Sequence, residues 1–164
     1  MNKINIPLKN NRYDIFIDQA IDKYIDRAID NLGKYDKVFI LTQKSILAFY
    51  KDYNIFSKYN IVILQSGEFS KTIQSVEVII NQLLIKGCTR KSLLIGFGGG
   101  VTTDTTGLVA SLFMRGIDHV FIPTSLIGMV DASIGGKTGI NSSIARNVIG
   151  TFKQPKAVFI DTLL

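Results

Sequence analysis

Short apolar runs alternate along this chain with stretches whose apolar residues recur every three or four positions, which predicts strands and helices in turn. Residues 4–8 and 13–17 flank Lys9-Asn10-Asn11-Arg12 as a hairpin would. Over 20–32, Ala20, Ile21, Tyr24, Ile25, Ala28, Ile29 and Leu32 make one stripe at helical spacing, and Gly33 supplies the stop. A buried strand is expected over 38–41, a short helix over 45–53 and another strand over 61–64. The clearest helix covers 71–86, with Ile73, Val76, Ile79, Ile80, Leu83 and Leu84 inward and Gly87 ending it. Residues 93–97 are mostly apolar, as in a central strand covered on both faces. They run into Gly98-Gly99-Gly100, after which 103–114 read as a helix and 120–122 as a strand. Residues 126–133 read as helical, 135–139 as a glycine-rich loop and 158–161 as a last strand. This order predicts one α/β domain with a Rossmann-like, mainly parallel sheet and helices on both faces.

Composition narrows the classes. At 164 residues the chain can bury roughly two-thirds of its unfolded surface. An apolar fraction of 46% with 20% charged residues is a globular balance, which argues against disorder. The longest apolar runs are of strand length, and the first residues carry no apolar signal segment. Cys88, the single cysteine, has no partner for an internal disulfide, which fits a reducing cytoplasm. The net charge of +6 comes from scattered lysines and arginines with no basic block, so neither nucleic acid nor membrane is expected as a partner. Because the last strand ends three residues before Leu164, the chain is expected to continue beyond it.

The strongest chemical signal is the strand–glycine–helix unit from Leu93 to Asp104. Glycines between a buried strand and a helix let the backbone approach a pyrophosphate, and the first helical amides then face its oxygens. A tight turn alone would need only one glycine. The unit departs from the usual dinucleotide fingerprint: Val101 stands where the last glycine belongs, and the next strand closes on Pro123-Thr124 rather than an acidic residue. Asp104, read in the first helical turn, either complements the helix dipole or binds a nicotinamide-side hydroxyl or a positioned water. Glu68 and Lys71 follow a strand's C-terminal end, where open α/β sheets bind ligands, although a solvated ion pair would look the same. Thr124, Ser125, Asp131 and Lys137 place hydroxyls, a carboxylate and an ammonium around Gly135 and Gly136, and Asn147 adds an amide. His119 has no second histidine or acidic cluster at ligand spacing and reads as a surface or strand-end residue. Cys88 is not read as a nucleophile, and Met114 and Met129 are read as core.

Several ordered motifs resemble the 3-dehydroquinate synthase family. They are Gly98-Gly99-Gly100-Val101-Thr102-Thr103-Asp104, Met114-Arg115-Gly116-Ile117, Ile122-Pro123-Thr124-Ser125-Leu126 and the run from Val130 to Asn141. Ser66-Gly67-Glu68-Phe69-Ser70-Lys71 upstream and Arg146-Asn147-Val148-Ile149-Gly150-Thr151-Phe152 with Gln154-Pro155 downstream continue the likeness over essentially the whole chain. Gly135-Gly136-Lys137-Thr138-Gly139 favours this family over related cyclases and over iron-dependent polyol dehydrogenases.

The resemblance implies an NAD-binding N-terminal domain over residues 1–164 and a helical metal-binding domain beyond it. Glu68 and Lys71 would hold the adenosine end of NAD. Gly99, Gly100, Val101, Thr102, Thr103 and Asp104 would line the pyrophosphate and nicotinamide ribose, with Thr124, Ser125, Lys137 and Arg146 also on the cofactor. Asp131, Lys137 and Asn147 would face a phosphorylated substrate, and Arg115 would reach the neighbouring subunit's site in a homodimer. A zinc or cobalt ion is implied, its glutamate and histidine ligands lying past Leu164. Thr103, Ala132, Arg146 and Gln43 depart from the family's usual glycine, serine, lysine and acidic or asparagine residues. Two other readings stand beside it: a non-catalytic NAD- or anion-binding module, and a relative of the polyol dehydrogenases.

Overall fold

The apolar run at 93–97 is the centre of a seven-stranded sheet. The computed structural model describes residues 2–8 and 12–164. Its strands, in chain order, are β1 (Asn2–Ile6), β2 (Tyr13–Asp18), β3 (Val38–Gln43), β4 (Asn60–Leu64), β5 (Leu93–Gly98), β6 (Asp118–Pro123), β7 (Lys137–Ile140), β8 (Ile149–Phe152) and β9 (Ala157–Asp161). The helices are α1 (Ile25–Leu32), α2 (Lys44–Phe49), α3 (Asn54–Lys58), α4 (Ile73–Ile85) and α5 (Gly100–Leu112). The main sheet runs β1-β2-β9-β6-β5-β3-β4, parallel from β2 to β4 and antiparallel at β1. β7 and β8 form a separate antiparallel ribbon.

Alternation along β5 divides the core. Leu93, Ile95 and Phe97 pack with Ile21, Ile25, Ile29, Ile55 and Phe56 on the face covered by α1 and α3. Leu94 faces the other way, onto Val76, Ile79, Leu83, Leu108 and Val109 of α4 and α5. On that second face Gly96 and Gly98 let α5 lie close to the strand. A Cβ at Gly96 would stand 2.7 Å from Thr106 Oγ1, and one at Gly98 2.5 Å from Thr102 Oγ1. The glycine run therefore seats the helix as well as turning the chain.

The structure corrects several expected elements. The stripe over 20–32 is broken: Ile21–Lys23 is a 3-10 turn, Tyr24 is non-helical, and α1 starts at Ile25. The buried carboxylate of Asp161 accepts the Ile21 N–H at 2.7 Å and fixes this entry. Residues 45–53 do not form one helix. α2 stops at Phe49 and α3 begins at Asn54, held by Asp22, which accepts from Asn54 Nδ2 and Ile55 N–H. In α4, Ile73 and Leu84 are about half exposed, and the inward stripe is Val76, Ile79 and Leu83 with Ile80 partly covered. Met114 is not core but 38% exposed, in a left-handed conformation after α5. Residues 128–132 make a π-helical turn rather than an α-helix, and residues 137–139 belong to β7 rather than to a loop. β8 has no counterpart in the sequence pattern, because its largely exposed residues carry no apolar period. The expected hairpin strands are β1 and β2, while residues 9–11 of its turn lie outside the described residues.

Candidate functional site

The C-terminal ends of β5 and β6 open side by side, with Thr124 N–H donating to Gly98 O at 3.0 Å. α5 starts at Gly100, three residues earlier than the sequence pattern indicates, so Asp104 lies in its second turn rather than its first. The amides of Thr102 and Thr103 turn back to Gly99 O, while those of Gly100 and Val101 have no acceptor within the helix. Thr102 and Thr103 are fully buried, and Thr103 Oγ1 donates to Gly100 O. Ser125 sits over the turn: a Cβ at Gly99 would lie 3.3 Å from its Oγ, which accepts from Gly128 N–H.

Lys71 is the least expected placement. Its side chain is 4% exposed rather than solvated, and its ammonium donates to Asp104 at 2.8 Å and to Asn147 Oδ1 at 2.6 Å. Glu68, 44% exposed, stands 3.6 Å away on the same segment. Burial pushes the Asp104 carboxyl above its ordinary range, outweighing the opposing pull of Lys71. Asn147 adopts φ 55 at the far side of this junction.

Beyond Asp104, the chain forms a cavity of about 430 Å³ that collects Asp131, Lys137 and Asn147 around it. Asp131 comes from the π-helical turn, Lys137 from the first residue of β7 and Asn147 from the segment before β8. Lys137 donates to Asp131 at 2.7 Å, and this bond raises its pKa. Both side chains are more than half exposed, so the ammonium remains open to a ligand. Thr138, Val148 and Phe152 also line the cavity and were not singled out from sequence. Only the pairing of β7 with β8 would have pointed to them. Arg146 is exposed on the loop before Asn147. Arg115 is not brought to this cavity. It does not line the cavity and projects from the consecutive left-handed residues Met114 and Arg115 that follow α5.

His119 is buried in β6, not at the surface, with both ring nitrogens unpartnered and its ring edge-on to Phe121. Cys88 is buried just after α4, where burial pushes its thiol up and disfavours the reactive thiolate. Among the described residues no three His, Cys, Asp or Glu side chains gather as metal ligands, and no helix is long and apolar enough to cross a membrane.

A doubly covered parallel sheet with a glycine turn and a polar cavity at its strand ends defines a Rossmann-like ligand-binding domain. The chain belongs to the 3-dehydroquinate synthase family, whose N-terminal domain profile matches residues 61–164. It is 41% identical over 168 residues to the 3-dehydroquinate synthase of Prochlorococcus marinus, covering 98% of this chain and 46% of that protein. The chain thus spans about half the length of the curated relatives it matches. Among solved structures, 2-deoxy-scyllo-inosose synthase complexed with carbaglucose-6-phosphate, NAD+ and Co2+ superposes with a TM-score of 0.86 at 22% identity, covering 99% of this chain and 46% of that one. The 2-epi-5-epi-valiolone synthase of Streptomyces hygroscopicus, with NAD+ and Zn2+ bound, gives 0.79 at 28% identity, covering 95% and 44%.

Proposed function

We propose that this chain is the NAD-binding half of a cytoplasmic 3-dehydroquinate synthase of the shikimate pathway. Its reaction converts 3-deoxy-D-arabino-heptulosonate 7-phosphate to 3-dehydroquinate and phosphate by transient oxidation, phosphate elimination and cyclisation. The observation that carries this reading is the convergence of Asp104, Asp131, Lys137 and Asn147 on one cavity beside the glycine turn.

The turn fits a dinucleotide. Gly99 and Gly100 leave room for close approach, the Gly100 and Val101 amides offer donors to a pyrophosphate, and Asp104 offers a carboxylate to a ribose hydroxyl. Thr124, Ser125 and Arg146 lie on the surrounding segments, and Glu68 completes the rim. NAD, when bound, supplies the transient hydride acceptor. Lys137 presents a positive charge to phosphate oxygens while Asp131 holds it in place. Asn147, fixed by Lys71, offers its remaining amide donors to substrate hydroxyls. The curated relatives are about twice as long as this chain, and a zinc or cobalt ion would rest on residues of a further, helical domain. Arg115, which does not line this cavity, serves a second subunit's site in a homodimer.

The test is phosphate release from the heptulosonate phosphate with NAD and zinc present. The full-length protein is expected to turn over and residues 1–164 alone to be inactive. NAD-independent release, or none from the full-length protein, would overturn the reading.

A further inference from the structure

We propose that Asn141 is a positioning residue that locks the cofactor-side segment Glu68–Lys71 to Asn147 on the substrate side, and so sets the spacing between the two parts of the site. This rests on the functional reading above. Asn141 follows β7 and uses three groups at once. Its backbone N–H donates to Lys71 O at 2.8 Å, its Nδ2 donates to Glu68 Oε1 at 3.0 Å, and its Oδ1 accepts the Asn147 N–H at 2.9 Å. The amide orientation is forced, because a carboxylate accepts and a backbone N–H donates.

The loop between the two asparagines is self-contained. Ser142 Oγ accepts from the Ile144 and Ala145 amides, and Ser142 N–H donates to Ala145 O. Asn141 and Asn147 are therefore its two stems, and the Asn141 side chain closes it. That closure holds Asn147 in its left-handed conformation, with Oδ1 aimed at the Lys71 ammonium, which also binds Asp104. A short side chain with one donor and one acceptor is needed. Aspartate would keep the bond to Asn147 but turn a second carboxylate oxygen toward Glu68, and alanine would lose both bonds. Asn141 lies outside the apolar clusters, so its removal is felt at the site and not in the core.

The experiment uses the full-length protein with Asn141→Ala, Asn141→Asp, Glu68→Gln and the Asn141→Asp/Glu68→Gln pair. Asn141→Ala is expected to raise KM for the phosphorylated substrate and lower kcat, together costing about ten- to a hundredfold in kcat/KM. Its melting temperature should stay near that of the parent. Asn141→Asp should be worse than Asn141→Ala, and adding Glu68→Gln, whose amide can donate to the new carboxylate, should restore substrate KM toward that of Glu68→Gln alone. Hydrogen exchange adds a readout free of turnover: the Asn147 amide should exchange faster in Asn141→Ala but not in Asn141→Asp. Unchanged kinetics in Asn141→Ala, no recovery in the pair, or unchanged exchange at Asn147 would each overturn the proposal. If the unsubstituted full-length protein fails to turn over, the functional reading falls while the exchange measurement still decides the clamp.

Discussion

The central sheet and the segment from Asp131 to Phe152 are held together by opposite means. β5 is buried at every position and contacts apolar side chains on both faces. β7 and β8 are a ribbon of two four-residue strands, with β8 mostly exposed, and the segments around them are fixed by side-chain hydrogen bonds among Asn141, Asn147, Lys71, Asp131 and Lys137. Apolar burial is non-directional and tolerates small shifts, whereas a set of polar bonds places individual atoms. The first provides stability and the second provides geometry.

The comparison can be broken first in the core. Phe97→Ala should cost about 3–5 kcal/mol, because the ring is fully buried and packs edge-on against Tyr50 and Phe56. Urea unfolding checks this, and a loss below about 1 kcal/mol would mean that the sheet face is not the stabilising layer.

His119 gives a pH-resolved version. Burial pushes its pKa down to about 3, so the ring is neutral in the fold while the unfolded chain takes up a proton below about 6.5. Stability should therefore fall as pH drops from about 6.5 toward 3, by up to about 1.4 kcal/mol per pH unit from this group. His119→Phe should flatten that part of the profile, as seen by urea unfolding at several pH values. An unchanged slope would show that His119 is hydrated.

Lys137→Ala sharpens the comparison from the polar side. Its ion pair with Asp131 is exposed on both partners, so unfolding should change by less than about 0.5 kcal/mol. Turnover of the full-length protein should nonetheless fall about ten- to a hundredfold, as a charge-assisted contact to phosphate is lost. A sharp loss of melting temperature with unchanged activity per folded molecule would make Lys137 structural instead.

The same division explains what was legible in the sequence. The buried strands of the main sheet and the centre of the α4 stripe, Val76, Ile79 and Leu83, were readable because burial on one or two faces imposes a period. Elements fixed by single polar contacts were not. The break at Tyr24 depends on Asp161, far along the chain, and the start of α3 depends on Asp22. At the site, the glycine turn, Asp131, Lys137 and Asn147 were recognisable as residue types in family motifs, but the burial of Lys71 between Asp104 and Asn147 was not. No local pattern reports that two segments 33 and 76 residues away meet one ammonium. β8 escaped for a related reason: it pairs with β7 through backbone bonds and presents no apolar face.

The position of β9 has a consequence for the order of assembly. This strand lies between β2 and β6, pairing residues 14–18 with residues 157–161. The β1–β2 hairpin consequently has no seat in the sheet until almost the whole of this chain has left the ribosome. Closing so large a loop is entropically costly and makes for slow, late docking. During synthesis the emerging chain would hold the β3–β6 unit with the β6 edge still waiting for β9, a stage at which a chaperone has a defined surface to protect.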